Sequence, residues 1–288
     1  MKPSGIITLL TDFGLADPYV AMMKGVLLSI NSRACLVDIS HEIRPGAIFP
    51  AARIIQEAYR FFPDGTVHLG VVDPGVGSDR RPIAAEANGH FFVGPDNGLF
   101  WPVLQGSPRA RIYHLTENRF FRRSVSRTFH GRDVFAPVAA HLSLGAGIEE
   151  TGIPIEDPKP LFVPSPYREG KDLCGQVIHA DHFGNLITDI DVETLLQFLG
   201  KSTPWIQVGS LTVRTLSRAY SDVEEGQPLA LINSSDLLEI SVNLGKASEY
   251  VGVEEGELIG TPVRIRSKNP VPGPRATAGS STPPIRRG

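Results

Sequence analysis

Val71-Val72-Asp73-Pro74-Gly75-Val76-Gly77-Ser78-Asp79-Arg80-Arg81 is the stretch around which the rest of the chain is ordered. An apolar run, Thr66 to Val72, reads as a buried strand that delivers a carboxylate to its end, and Pro74-Gly75 then turns the backbone. In open α/β sheets, ligands gather at the carboxyl ends of the strands. Two arginines follow within one short loop, close enough to fold back over Asp73. An isolated Asp-Pro-Gly is otherwise a turn whose carboxylate caps backbone N–H groups. Company favours the first reading, because further turns bearing carboxylate or histidine follow other apparent strand ends.

Upstream, Ile6 to Leu10 is a short continuous apolar run, the mark of a strand buried on both faces, and Thr11-Asp12-Phe13-Gly14 ends it. Asp17-Pro18 reads as N-cap and first residue of a helix carrying Val20, Met23, Leu27 and Ile30. Ala34 to Ile39 is a second strand closing on Ser40-His41-Glu42, and Gly46 to Phe62 looks helical. Downstream, Ile83 to Ala87 and His90 to Val93 flank Asn88-Gly89, a strong hairpin signal. Gly94-Pro95-Asp96-Asn97-Gly98-Leu99 turns into a short helix, Ala110 to Leu115 is another strand, and Phe129-His130-Gly131-Arg132-Asp133 introduces a helix. Strands alternating with helices argue for an α/β domain with a mostly parallel sheet covered by helices, assigned to residues 1–165.

From about Gly145 to Lys171 the pattern dissolves into a proline-rich connector. Beyond it come short strand-like runs separated by Gly, Asp and Ser turns, with one helix around Val192 to Phe198. They suggest a smaller all-β, barrel-like domain over residues 166–266. Residues 267–288, rich in Pro, Gly, Ser and Thr, cannot bury a core and are expected to be a disordered tail.

The formal net charge is −3, and removing the tail's four positive charges leaves −7, so nothing advertises nucleic acid or an anionic membrane as a partner. No apolar run approaches the length of a membrane span. The two cysteines, Cys35 and Cys174, lie in apolar strand-like runs and either pair or, the reading preferred, are small buried thiols in a reducing compartment, which suggests a cytoplasmic location.

No dinucleotide fingerprint, P-loop or Gly-x-Ser-x-Gly elbow occurs. None of the eight histidines has metal-ligand spacing, although Asp12, His41, Asp73 and His130 could converge as a metal site. Asp12 and Asp17 bracket a strand-to-helix turn, where they would serve as helix caps or as acceptors for ribose hydroxyls or an ammonium. His130 is either a helix-start histidine held by local backbone or a donor and acceptor near Asp73 and Arg80. A carboxylate, a guanidinium and an imidazole around one pocket suit the orientation of a water molecule. Asp181-His182-Phe183-Gly184-Asn185, Asn233-Ser234-Ser235-Asp236 and Arg218-Ala219-Tyr220-Ser221-Asp222 are polar turns, either plain or ligand-bearing.

Together these turns resemble those of the adenosine-forming S-adenosylmethionine hydrolases, also described as S-adenosylmethionine hydroxide adenosyltransferases, relatives of the fluorinase and chlorinase. The residues that carry the resemblance are Thr11 to Gly14 with Asp17 and Lys24-Gly25-Val26, then Val72 to Gly77 with Arg80-Arg81. Gly94 to Leu99, Phe129 to Pro137, Asp181 with Phe183 to Asn185, and Asn233-Ser234 complete the set.

The resemblance implies hydrolysis of S-adenosyl-L-methionine to adenosine and L-methionine, with no cofactor and no metal. It implies a homotrimer with active sites at subunit interfaces. Its catalytic set falls on Asp73, Arg80 and His130. Asp12 would hold the ribose hydroxyls, Asp17, Asp181 and Ser234 the methionine portion, and Asn185 and Tyr220 the adenine. The halogenases carry a tyrosine at the position of Asp73, a serine near Gly131 and an arginine at Ser235, so this chain has the hydrolase pattern at the first two. The competing readings are a non-catalytic S-adenosylmethionine or nucleoside sensor and an S-adenosylmethionine-dependent halogenase.

Overall fold

A computed structural model of the protein describes residues 1–253 and 257–268. The chain divides into two compact units, Met1–Val163 and one that begins at Pro164. The first unit runs β1 (Ile6–Thr11), α1 (Tyr19–Ile30), β2 (Cys35–Ser40), α2 (Ile48–Ala58), β3 (Val67–Val71), β4 (Pro82–Ala87) and β5 (His90–Pro95). It continues with α3 (Trp101–Leu104), β6 (Arg111–Leu115), α4 (Ala136–Ser143) and β7 (Gly152–Pro154).

Its seven strands are ordered β2-β1-β3-β5-β4-β6-β7. The β2–β1, β1–β3 and β3–β5 ladders are parallel, whereas β5–β4, β4–β6 and β6–β7 are antiparallel. The sheet is therefore mixed rather than mostly parallel. The two-residue turn Asn88-Gly89, whose left-handed φ values of 49° and 82° suit a tight hairpin, reverses the chain between β4 and β5, and β6 and β7 then add antiparallel beyond β4.

Side chains alternate across the parallel half. Ile7 and Leu9 join Met23 and Leu27 of α1 and Val138, Ala139 and Leu142 of α4 in one core. Leu10 joins Ala51, Ala52 and Ile55 of α2, Val103 of α3, and Phe92 and Phe100 in the other. Each fully buried Leu, Ile or Phe stabilises the fold by about 1.5–3 kcal/mol. Gly94 is required by close approach, because a Cβ there would lie 2.2 Å from the carbonyl oxygen of Gly70 on the neighbouring strand. Helix α1 starts one residue later than the sequence suggests. Pro18 itself is the N-cap, its carbonyl accepting from Met22 N at 2.9 Å, and no side chain caps the helix. Asp17 thus stands outside the cap position and is exposed.

The second unit comprises β8 (Tyr167–Glu169), β9 (Asp172–Ala180), β10 (Leu186–Asp191), α5 (Val192–Leu199), β11 (Thr203–Val208) and β12 (Leu211–Val213). β13 (Pro228–Ile232), β14 (Leu237–Val242), α6 (Ala247–Tyr250) and β15 (Pro262–Lys268) follow. The strand order is β12-β11-β15-β9-β10-β14-β13 with β8 on β9, and every ladder is antiparallel. A bridge from Leu216 to Ala230 draws the chain after β12 onto β13, so the sheet nearly closes on itself around Val177, Leu186, Ile206, Leu238 and Ile240. Asp191 caps α5 by accepting from Thr194 N at 2.8 Å, and Gly200 ends it at φ 56°.

Cys174 is buried, but Cys35 is exposed, because β2 lies at the sheet edge and leaves its first residue uncovered. Ser267 and Lys268 pair with Pro204 and Thr203 at the end of β15, while the remainder of the expected tail lies outside the described residues. Among the described residues, no helix is long and apolar enough to cross a membrane.

Candidate active site

The carboxyl end of β3 is built as the sequence suggests, with Asp73 following the fully buried Val72. The loop then folds back. Val76 N donates to Asp73 O at 3.2 Å and Ser78 N to Gly75 O at 3.1 Å. Gly77 has φ 79°, and a Cβ on it would meet Arg127 O at 2.5 Å, so only glycine fits there. The return carries Arg80 onto Asp73. Its Nε lies 2.9 and 3.0 Å from the two carboxylate oxygens, and its Nη2 also bonds Oδ2. The same Nη2 lies 2.9 Å from His130 Nδ1, and the guanidinium sits 5.2 Å from the centroid of the Phe135 ring. The side chains of Arg80 and Asp73 are only 9% and 5% exposed. Nη1 of Arg80 is buried with no hydrogen-bond partner among the described residues.

His130 stands at the start of a π-helical turn, Gly131–Phe135, that runs into α4. Such turns are frequent at functional sites. This one is braced by Asp133, fully buried, which accepts from Arg132 at 2.7 and 2.8 Å, from Ser126 N at 2.9 Å and from Arg122 at 3.3 Å. Burial opposes the charge on Asp133, but Arg132, Ser126 and Arg122 outweigh it and hold the carboxyl below its usual range. Burial, and then the Arg80 charge, push the His130 imidazole below its ordinary pKa, against the opposing pull of Asp73 and Asp133. A guanidinium only donates hydrogen bonds, so Nδ1 of His130 must accept, and the neutral ring carries its proton on Nε2.

Arg81 behaves differently from its neighbour. It donates to Asp96 at 2.8 Å and to the Asp157 side chain and carbonyl at 2.8 and 2.6 Å. Asn97 donates to Val72 O at 2.8 Å. The Asp96-Asn97 turn thus pins both ends of the loop that carries Asp73 and Arg80. Just past the end of the adjacent strand β1, Asp12 is half-buried and accepts from Gly46 N at 2.8 Å. Asp17 makes no side-chain hydrogen bond among the described residues. Among those residues, no three His, Cys, Asp or Glu side chains gather in a way that could hold a metal ion, so the set of Asp12, His41, Asp73 and His130 is not assembled as ligands.

In the second unit, Asp181 spends both oxygens on its own turn. It accepts from Phe183 N, Asn185 N and Asn185 Nδ2, each at 2.9 Å. Asn185 is buried and thereby oriented. Tyr220 donates to Glu239 at 2.8 Å, and Ser241 donates to the same oxygen at 2.7 Å. Burial and the Glu239 bond push the Tyr220 hydroxyl up to about 12, so it remains a donor. Ser234 is exposed and makes no side-chain hydrogen bond among the described residues.

The structure therefore brings Asp73, Arg80 and His130 together, pairs Asp181 with Asn185, and leaves Asp17 and Ser234 apart from any network. The reading of the sequence did not single out Phe135, Asn97, Asp133 or Glu239. Glu239 is masked by the apolar run of β14, whereas Phe135, Asp133 and Asn97 lie in the very stretches that carry the resemblance.

A mixed α/β unit with a carboxylate–guanidinium–imidazole trio at its strand ends, together with an antiparallel β unit, defines a two-domain protein equipped to orient a small polar reactant. Residues 7–152 match the SAM hydroxide adenosyltransferase N-terminal domain and residues 175–260 the C-terminal domain, and the chain belongs to that family. It is 40% identical over 274 residues to an (R)-S-adenosyl-L-methionine hydrolase of Thermus thermophilus, covering 92% of this chain and 100% of that one. A fluorinase of Actinopolyspora mzabensis is 28% identical over 286 residues, covering 87% and 95% of the two chains. The crystal structure of an uncharacterized conserved protein from Thermotoga maritima superposes with a TM-score of 0.83 at 35% identity, covering 90% of this chain and 99% of that one.

Proposed function

We propose that this chain hydrolyses S-adenosyl-L-methionine to adenosine and L-methionine, water or hydroxide attacking the ribose C5′ in line. The observation that carries the proposal is the Asp73–Arg80–His130 trio, bound together at the end of β3 in a chain that belongs to a hydroxide adenosyltransferase family. Asp73 accepts a hydrogen bond from the nucleophile and, where that nucleophile is water, takes its proton as the C5′–O bond forms and the C5′–S bond breaks. Arg80 fixes that carboxylate through its fork and holds the His130 ring through the same Nη2. His130, protonated on Nε2, orients the nucleophile by donating to it rather than by taking its proton.

The sulfonium substrate is positive and hydroxide negative, so charge is annihilated on the way to the transition state and a site that replaces bulk water favours the step. Holding the nucleophile in line supplies much of the remaining acceleration. The thioether leaves neutral and requires no general acid, and the chemistry itself demands no metal or redox cofactor. A halide would be repelled by the carboxylate at Asp73, where the halogenases place an uncharged tyrosine.

In this reading Asp12 binds the ribose hydroxyls, Asp17, Asp181 and Ser234 serve the methionine portion, and Asn185 and Tyr220 the adenine. A cytoplasmic homotrimer with active sites at subunit interfaces belongs to the same reading, and light scattering that found an active monomer would contradict it. Incubation of the purified chain with S-adenosyl-L-methionine should release adenosine and methionine in equal amounts. Tight binding without release would leave a sensor instead.

A further inference from the structure

β1 and β2 pair in parallel from Ile6 with Cys35 to Leu9 with Asp38, and then slip so that Leu10 faces Ser40. Ile39 is the extra residue, a bulge of the kind that re-aims side chains beside functional sites. The slip sets His41 next to Thr11, the residue before Asp12. Both side chains are buried, and Thr11 Oγ1 lies 2.8 Å from His41 Nδ1. On the other side of the ring, Nε2 is 3.0 Å from Asp38 Oδ1, a contact too bent to count as a straight hydrogen bond. Asp38 is in turn held by Lys24 Nζ at 2.6 Å. Partial burial works against the Asp38 charge, but Lys24 and His41 outweigh it and hold the carboxyl below its usual range.

Thr11 Oγ1 and His41 Nδ1 share this hydrogen bond, the hydroxyl donating when the ring carries its proton on the Nε2 that faces Asp38. Thr11 Oγ1 then accepts from Phe13 N at 3.3 Å. Two further bonds tie the same turns together. Gly14 N donates to His41 O and Gly46 N donates to Asp12 Oδ2, both at 2.8 Å. Asp12 thus sits between the hydroxyl that His41 holds and the amide that holds its own carboxylate.

We propose that His41 is a positioning residue for the ribose, aiming Asp12 through Thr11, with Asp38 and Lys24 fixing the ring that does so. The inference rests on the reading of Asp12 as the acceptor for the vicinal ribose hydroxyls. A merely structural histidine would affect every ligand alike, whereas a residue that aims Asp12 affects only ligands that carry those hydroxyls.

The test is calorimetric titration of the full chain with adenosine and with 2′,3′-dideoxyadenosine. His41→Ala should weaken adenosine about tenfold, the worth of one well-placed hydrogen bond to a charged group, and leave the dideoxy nucleoside unchanged. His41→Asn, which keeps an amide oxygen within reach of Thr11, should restore most of the preference. Asp38→Ala, at a side chain 40% exposed and so replaceable without loss of fold, should lower the same ratio by a smaller factor. Asp12→Ala should abolish the preference. If Asp12→Ala abolishes it and neither His41→Ala nor Asp38→Ala changes it, the positioning role is overturned while the ribose reading stands. If Asp12→Ala leaves the preference intact, the ribose reading falls and the inference with it.

Discussion

Replacing Arg80 by lysine keeps the charge and removes the fork. In the structure Nε and Nη2 grip both oxygens of Asp73, Nη2 also holds His130 Nδ1, and the guanidinium lies against Phe135. One ammonium can reach the carboxylate or the imidazole from its single point, but not both in these directions. The lost contacts include charge-assisted bonds, each worth about 1.5–3 kcal/mol, of which the lysine recovers a part. A net loss of about 2.7 kcal/mol at the transition state corresponds to roughly a hundredfold in kcat. KM should stay within about threefold, because neither Asp73 nor His130 is assigned a substrate contact. Stability should fall by about 1–3 kcal/mol, since the buried Asp73 would be left with unmet hydrogen bonds. Chromatographic rates of adenosine release and urea denaturation measure the two effects separately. A variant that lost stability yet kept kcat within about threefold would refute the reasoning and make the trio a structural brace. Parallel losses in kcat and binding would move it to substrate recognition.

Protonation of His130 would turn its Nδ1 into a donor facing the Arg80 donor. Burial and Arg80 both favour the neutral ring. The acid limb of kcat/KM should therefore lie below the ordinary histidine pKa of about 6.5 and vanish in His130→Asn, and a limb above neutrality would contradict this. A second histidine governs stability rather than rate. His68, fully buried between Thr8 at 2.8 Å and His90 at 3.2 Å, is pushed down to about 3 by burial and then by the His90 charge. The native state keeps this ring neutral while the unfolded chain takes up a proton near 6.5. Its contribution is thus present in full above that pH and should be lost at about 1.4 kcal/mol per pH unit between roughly 6.5 and 3. Urea titrations across that window should show a shallower slope for His68→Gln, and identical slopes would exclude the residue as the cause.

The legible parts of the fold were those that local chemistry writes out. Asp73 and Arg80 lie seven positions apart on one loop, and the strand before them and the Pro-Gly turn between them are signals in the sequence itself. The Asn88-Gly89 hairpin was equally plain, but its consequence, an antiparallel half of the sheet, depends on which strands β4 and β6 adopt as neighbours. Pairing is a long-range choice that periodicity does not encode. Asp17-Pro18 has the form of a cap, yet the proline adopts ψ 5° and takes the cap position itself. The Asp38–His41–Thr11 chain was invisible because it exists only after a one-residue slip between two strands. Glu239 was hidden for a related reason, since it lies within the apolar run of β14 and is explained only by the Tyr220 and Ser241 hydroxyls that reach it. The π-turn at Gly131–Phe135 leaves no mark in the hydrophobic pattern, which continues unbroken into α4.

The central claim is that water, held by Asp73, Arg80 and His130, is what attacks C5′. Turnover in ¹⁸O-labelled water, with chloride or fluoride present at molar concentration, tests it most directly. The label should appear on the 5′-oxygen of adenosine, with no 5′-halogenated nucleoside formed. Adenosine without the label, or halogenated nucleoside accumulating in its place, would contradict it.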